Sequence, residues 1–289
     1  MKIALLGVGL MGYPIGVRLC RGGHTLRVWN RTPEKARRLL DAGASAYETP
    51  NEAVRGADMV LTMLEDGDVV AKVLFDTGVA QAMDPGSLLV DMSSILPAQA
   101  REHGRRLAAL HIDYLDAPVS GGTLGAEQGT LAIMVGGEAP QLERAAPALE
   151  CLGRATLVGP TGTGQLAKLA NQMIVGTGIA AVAEALLLCE KGGADMARVR
   201  QAITGGFADS RILQVHGLRM VERDFAARGR MSVQLKDLRN ALATADGLCF
   251  DAPLTTLLEQ LYRAGVEHGL GALDQSGIFQ ELARRNGQR

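Results

Sequence analysis

Aromatic side chains are scarce in this chain: phenylalanine, tryptophan and tyrosine together make up 3% of its 289 residues. Proteins that stack bases need such rings, and a formal net charge of −1 offers no basic face to a polyanion. Nucleic acid is therefore excluded as the expected partner. Cysteine is sparse as well. Cys20, Cys151, Cys189 and Cys249 lie far apart and form no CxxC pair, so buried or half-buried free thiols in a reducing compartment are expected. The five histidines show no metal-ligand spacing, and no metal site is expected. No basic and apolar leader with a cleavage site comes before the first strand pattern, which leads to the expectation of a cytoplasmic protein. Long apolar runs are nearly absent too. The one that needs a membrane check, MIVGTGIAAVAEALLLC at 173–189, is shorter than the ~20 residues a span requires, and Glu184 lies inside it. A helix apolar nearly all round is usually buried in protein, so the segment reads as a core helix and no membrane partner is expected.

Glycine, by contrast, is plentiful at 36 residues, which points to tight turns and close backbone approaches. Up to about residue 160, strand-like runs alternate with amphipathic helical patterns: KIALLG, LRVWN, DMVLTML, SLLVDM, IDYLDAP and LAIMVG. One helical pattern, PEKARRLLDAG at 33–43, ends on a glycine stop. Alternation of this kind predicts a Rossmann-type, doubly wound α/β sheet over residues 1–160. After Gly159-Pro160 the strand signals nearly vanish. Segments 164–192, 195–204, 233–249, 253–268 and 276–285 all read as helices, which predicts an all-helical C-terminal domain over 161–289.

Gly7, Gly9 and Gly12 form GxGxxG directly between a strand and a helix pattern. A turn of this type can be glycine-rich without binding anything, but its setting favours a dinucleotide. The first glycine makes the turn, the second lets backbone N–H groups approach a pyrophosphate, and the third allows close helix packing. Leu10 and Met11 complete the turn, and Met11, Ile15 and Leu19 supply the helix with an inward face. An acid normally ends the second strand of such a fold and holds the ribose 2′-hydroxyl of NAD. Here the strand runs into Asn30, Arg31 and Thr32, with no carboxylate to repel a 2′-phosphate. Arg31 offers a planar fork of donors, and Asn30 and Thr32 can add neutral hydrogen bonds. NADP(H) is therefore the expected cofactor, with NAD(H) as the alternative.

A second glycine cluster, DAPVSGG at 116–122, presents the Ser120 hydroxyl and the flexible backbone of Gly121 and Gly122, a pattern able to receive a carboxylate. On its own it could be any tight loop. Downstream, GTGQLAKLANQMIVG places Lys168, Asn171 and Gln172 at i, i+3 and i+4, on one helical face. A lysine and two amides on an otherwise apolar helix are costly unless they meet a polar cleft or water. The alternative is a surface stripe near the helix start. Further on, LKDLRNAL carries Lys236 and Asp237, which by spacing alone read as a solvated ion pair.

Taken together, GVGLMG, DMSS at 91–94, DAPVSGG, GQLAKLANQ and KDL at 236–238 resemble the β-hydroxyacid dehydrogenase family, in the expected order and over nearly the whole chain. Within the family, AKLANQMIV, AVAEAL, AITGG, LKDLRNAL and GLGALDQS most resemble the tartronate semialdehyde reductases, whereas NRT looks more like the NADPH-dependent glyoxylate/succinic semialdehyde reductases. The resemblance implies that Lys168 is the catalytic lysine. It implies that Ser120, Gly121 and Gly122 hold the substrate carboxylate, with Asn171, Gln172 and Asp237 near the substrate. It puts Met63, Leu64 and Ser94 (with Ser93) along the cofactor and Lys236 over it. Two positions depart from the family pattern: Gln172 stands where many members have asparagine, and a phenylalanine common just upstream of KDL is missing from ARGRMSVQ.

The implied reaction is reduction of a short semialdehyde acid, tartronate semialdehyde to glycerate first. Glyoxylate/succinic semialdehyde reduction and 3-hydroxyisobutyrate oxidation are the alternatives within the family. A dinucleotide-binding regulator without turnover is the alternative of another class, and Lys168 argues against it. A homodimer or homotetramer is expected, because helix 173–189 offers more apolar surface than one small helical domain needs, and Gly176 and Gly178 permit close helix contact.

Overall fold

β1 (Lys2–Leu6) enters the centre of a nine-stranded sheet as an unbroken apolar run. The remaining strands are β2 (Thr25–Trp29), β3 (Ser45–Ala46), β4 (Met59–Thr62), β5 (Leu88–Asp91), β6 (Asp113–Asp116), β7 (Val119–Ser120), β8 (Leu131–Gly136) and β9 (Gly153–Gly159). Their spatial order is β3-β2-β1-β4-β5-β6-β8-β7, with β9 paired to β8. All pairs from β3 to β6 are parallel, while β8 runs antiparallel to β6 and β7. This is the Rossmann-type sheet that the alternating pattern predicts. In the computed structural model, which describes residues 1–287, both faces of the sheet are covered. Ile3 and Leu5 join Met59, Leu61 and Val90 in one core, while Ala4 and Leu6 join Val60 and Leu89 in the other. Burial on both faces explains why these strands read as continuous apolar runs rather than alternating ones.

Some elements differ from the sequence reading. The two-residue strands β3 and β7 give no signal of their own. β9 alternates between half-buried and exposed residues and so lacks an apolar run. Segment 33–43 does not form one helix: it is helical over Pro33–Arg37, then turns through Leu40–Ala42 to Gly43 at φ 95°. The break brings Leu39 into the core against Gly16, where an added Cβ would lie 2.6 Å from a Leu39 methyl.

The chain divides into two compact units, Met1–Lys168 and the remainder from Leu169 onward. The division falls inside one continuous helix, Thr163–Lys191, hereafter the long helix. The second unit is helical: Met196–Ile203, Leu218–Glu222, Met231–Gly247, Pro253–Gly265 and Ile278–Arg285 surround a core that includes Ile179, Leu186, Leu238, Tyr262 and Phe279. The helical stretch through 213–222 has no counterpart in the sequence reading; Gly217 in its middle masks the pattern.

The long helix packs one face into the core, as the core-helix reading of 173–189 expects. By length and composition alone it could cross a membrane, yet Ile179, Ala183, Leu186 and Leu187 pack into the helical core. Its opposite face is open, with Ile174 70% and Leu188 72% exposed. Gly176 and Gly178 serve contacts inside the chain: an added Cβ would lie 2.5 Å from Gln234 Nε2 at the first and 2.7 Å from Ile212 Cδ1 at the second. Cys249 departs from the expectation of buried thiols, being exposed in a turn at φ 53°.

Candidate active site

The glycine turn after β1 is built as its spacing demands. Gly7 sits at φ 105°, and a Cβ there would lie 2.3 Å from the Met63 carbonyl; one on Gly12 would lie 2.0 Å from the Gly7 carbonyl. The turn is thus pressed against Met63 and Leu64 at the end of β4. Gly9 has nothing within 4 Å of the Cβ position, and Leu10 beside it is 56% exposed. Open space at the second glycine, ahead of the helix Gly12–Arg21, suits the backbone approach a pyrophosphate requires, so these residues fit a dinucleotide. Asn30 is itself tied into the fold. Its Oδ1 accepts the Val8 N–H at 2.9 Å and its Nδ2 donates to the Thr32 carbonyl at 2.9 Å, so the side chain ties the glycine turn to the end of β2. Arg31 and Thr32 remain exposed beside it.

The second glycine cluster lies beside the lysine. β7 delivers Ser120 to the start of the helix Gly122–Gln128, with Gly121 at φ 135° and Gly122 at φ 63°, conformations that favour glycine. Lys168 Nζ donates to the Val119 carbonyl at 2.9 Å, which holds the ammonium next to the Ser120 peptide. A half-buried lysine bonded to a backbone carbonyl, beside a serine hydroxyl and two glycines, can hand a proton to an oxygen placed there.

Two buried carboxylates underlie this region. Asp116, which opens DAPVSGG, accepts the N–H groups of Gly162 at 2.7 Å and Gln165 at 2.8 Å, at the start of the long helix. Burial pushes its carboxyl up to about 6 despite those bonds. Asp91 accepts from Thr62 Oγ1 at 2.7 Å and from the Ser93 N–H at 3.0 Å; burial again raises its carboxyl, against the pull of those bonds.

The helical unit carries the other expected residues in a network of its own. Gln172 Nε2 donates to Gln234 Oε1 at 2.9 Å and to Asp237 Oδ2 at 2.8 Å, while its Oε1 accepts from Asn171 Nδ2 at 2.9 Å. Gln234 Nε2 returns a bond to the Gln172 carbonyl at 3.0 Å, reaching it over Gly176. Lys236 Nζ lies 3.4 Å from Asp237 Oδ1, but this is not the solvated pair that spacing suggests: the Asp237 side chain is 2% exposed. Adjacent helical residues do not face each other; here Gln172 supplies the additional partner Asp237 needs.

Comparison with known proteins places this geometry. Residues 2–162 match the family model described as the NAD binding domain of 6-phosphogluconate dehydrogenase, and residues 162–282 match the NAD-binding domain of NADP-dependent 3-hydroxyisobutyrate dehydrogenase. The chain is 44% identical over 284 residues to 2-hydroxy-3-oxopropionate reductase of Escherichia coli (strain K12), covering 98% of this chain and 97% of that one. It belongs to the 3-hydroxyisobutyrate dehydrogenase-like β-hydroxyacid dehydrogenases. Among solved structures it is similar to 3-hydroxyisobutyrate dehydrogenase from Salmonella typhimurium, with a TM-score of 0.90 at 29% identity, over 97% of this chain and 99% of that one. It also resembles Psf3 in complex with NADP+ and 2-OPP, with a TM-score of 0.90 at 25% identity and the same coverage. As a β-hydroxyacid dehydrogenase the chain is an NAD(P)-dependent oxidoreductase.

Within this family frame, the structure brings Gly7, Gly12, Met63 and Leu64 together, groups Lys168 with Ser120, and groups Asn171, Gln172 and Asp237. The sequence reading missed Asp91, Asp116, Gln165 and Gln234. A polar residue enclosed by apolar or glycine neighbours, as in TGQL and VQLK, is the signal that could have marked the two glutamines.

Proposed function

We propose that this dehydrogenase works as an NADPH-dependent reductase of short semialdehyde acids, with tartronate semialdehyde to glycerate as the first candidate reaction. The observation that carries the reading is the bond from Lys168 Nζ to the Val119 carbonyl, which sets the lysine beside Ser120. The 44% identity to a 2-hydroxy-3-oxopropionate reductase supports the substrate class. The absence of an acid after β2, with Arg31 in its place, supports NADPH, as does the NADP+ bound by a structural neighbour.

NADPH held on the glycine turn would supply the hydride to the aldehyde carbon. Lys168 donates a proton as the carbonyl oxygen becomes an alkoxide, and regains one from solvent. The Val119 carbonyl takes one ammonium hydrogen and so fixes the direction of the others. Ser120 with the Gly121 and Gly122 backbone holds the far carboxylate, which leaves the aldehyde end at the lysine. Asn171, Gln172 and Asp237, hydrogen-bonded to one another in the helical unit, are assigned to the substrate, and Lys236 to the cofactor. The open face of the long helix, with Ile174 and Leu188, is assigned to contact between copies in a homo-oligomer.

The test is an NADPH- and NADH-oxidation panel over tartronate semialdehyde, glyoxylate, succinic semialdehyde and methylmalonate semialdehyde, run on the wild type and on Lys168→Ala. The lysine variant should keep its cofactor affinity and lose ~10²–10⁴ in kcat, the range for a general acid. Retention of most of the kcat would remove Lys168 from the mechanism. Equal or better kcat/KM with NADH would overturn the cofactor reading.

A further inference from the structure

Gln165 is completely buried, and three of its polar groups are engaged at once. Its backbone N–H donates to Asp116 Oδ2 at 2.8 Å, its Oε1 accepts the Ile95 N–H at 3.0 Å, and its Nε2 donates to the Ser93 carbonyl at 2.8 Å. The amide thereby treats the loop after β5 as a strand would, taking an N–H and a C=O from residues two apart. Ser93 extends the chain, because its Oγ accepts the Leu64 N–H at 2.9 Å. One glutamine thus joins the ends of β4, β5 and β6 to the first turn of the helix that carries Lys168, three residues further along.

The fit around this turn leaves no slack. A Cβ on Gly164 would lie 2.5 Å from both the Asp116 and the Met134 carbonyls, and one on Gly136 would lie 2.7 Å from the Gly164 nitrogen. The helix start is therefore in backbone contact with the sheet, and the Asp116 and Gln165 side chains add directed bonds to that contact. Asp116 grips it through Gly162 and Gln165, and the Val119 carbonyl, three residues beyond Asp116, grips the lysine tip. Each residue along a helix advances about 1.5 Å, so Lys168 stands only about 4.5 Å from Gln165 along the axis. A shift at the first turn is passed to the ammonium almost undiminished.

We infer that Gln165 is a positioning residue for the reduction: with Asp116 it fixes Lys168 relative to the loop Asp91–Ile95 and Leu64. The inference rests on the proposed role of Lys168 as the acid and of Leu64 and Ser94 on the cofactor side. The amide is specific for this task. Methionine matches its length but leaves the Ile95 N–H and the Ser93 carbonyl buried without partners. Asparagine is one methylene too short to reach both.

The test compares Gln165→Met and Asp116→Asn with the wild type and Lys168→Ala, using the best substrate of the panel. Four quantities are read: kcat, cofactor affinity by fluorescence, thermal midpoint, and the primary isotope effect with NADPH deuterated at the transferred hydrogen. Gln165→Met should lose about tenfold to a hundredfold in kcat, as sub-ångström to 1 Å misplacement does. Its cofactor affinity should change less than about threefold, while its isotope effect rises because hydride transfer becomes limiting. Asp116→Asn keeps one acceptor but turns an amide N–H against the other backbone N–H, and should show the same signature at smaller amplitude. A wild-type kcat and isotope effect in Gln165→Met would overturn the inference. So would a kcat loss that tracks lost cofactor affinity or thermal stability with an unchanged isotope effect, since that pattern is purely structural. If Lys168→Ala itself retains its kcat, the assignment of the acid has failed instead, and that result is read separately.

Discussion

Asp91 and Asp116 in the sheet unit are as thoroughly buried as Asp274 and Glu281 in the helical unit, yet their carboxyls are held in opposite directions. In the sheet unit the partners are neutral: backbone N–H groups and the hydroxyl of Thr62. Desolvation outweighs them, and both carboxyls rise. In the helical unit burial also pushes upward, but it is outweighed. Around Asp274, bonds from His216 and Ser276 and the charge of Arg219 bring the carboxyl far below the ordinary range. Around Glu281, Arg284, Arg285 and His268 bring it down to about 2. The difference separates two uses of a buried acid. One organises backbone at the start of the long helix and in the loop after β5, and tolerates an unfavourable charge to do so. The other fastens helices and loops with a permanent ion.

The largest effect expected from breaking this comparison is at Asp274→Asn. It leaves Arg219 facing a neutral amide and weakens the ties to Arg228, Gly229 and Ser276. Removing one member of a buried pair costs about 3–5 kcal/mol, and Arg219 is partly exposed, so a loss near ~3 kcal/mol is expected in urea denaturation followed by far-ultraviolet ellipticity. A loss under ~1 kcal/mol would mean that the ion is not a fastener.

Acid titration sharpens the contrast. Asp274 and Glu281 have folded pKa values below their unfolded ones, so their contribution is present above about pH 4 and is lost as pH falls toward 2. Asp116 has a folded value raised to about 6, so its ionised form opposes folding: through this group stability is gained as pH falls from about 6 to about 4 and given up as pH rises, while His103, buried in the same unit with its imidazole lowered to about 4, works the other way. Trp29 is the one tryptophan and lies in β2, so its fluorescence follows the sheet unit alone. Measured at pH 4 and pH 7 on the wild type and on Asp116→Asn, the stability of the wild type relative to the variant should fall by about 1–3 kcal/mol from the lower to the higher value. A difference that does not change with pH would contradict the raised carboxyl.

The smallest effect is expected at Asp91→Asn. Thr62 and the Ser93 N–H both donate to the same oxygen, Oδ1, which an amide reproduces, and the Tyr114 hydroxyl lies 3.5 Å from the second oxygen. A change within about 1 kcal/mol, read by the same fluorescence, would match an acid held without a cation. A loss as large as that at Asp274 would erase the distinction.

What the sequence made legible follows the same physics. Gly7, Gly9 and Gly12 could be read because the backbone geometry they permit appears directly as residue type. Lys168 could be read because an ammonium on an apolar helix demands a reason. Asn30 was legible as a neutral residue in place of an acid, but its fold-back onto Val8 was not, since an amide can serve a phosphate or a backbone equally well. Gln165 escaped because its partners lie 49, 70 and 72 residues away. Gln234 escaped for the same reason, its partner being 62 residues distant. That the long helix carries more apolar surface than its unit covers was legible, but not that Ile174 and Leu188 lie on the open side, because an apolar residue in the sequence does not say which side of its helix is covered.

The contact between Gly136 and Gly164 also bears on how this chain can be changed. Every other amino acid carries a Cβ, which at Gly164 would meet the Asp116 and Met134 carbonyls and at Gly136 the Asp116 carboxylate and the Gly164 nitrogen, so neither position has a neighbour in sequence space that preserves the start of the long helix. Gly9 is different, with nothing within 4 Å of its Cβ position. A library that randomises all glycines of the first unit should therefore return Gly136 and Gly164 unaltered among folded clones. It should return small residues at Gly9 among clones that fold but have lost the cofactor, so that sorting first for solubility and then for nucleotide binding separates glycines kept for packing from those kept for a ligand.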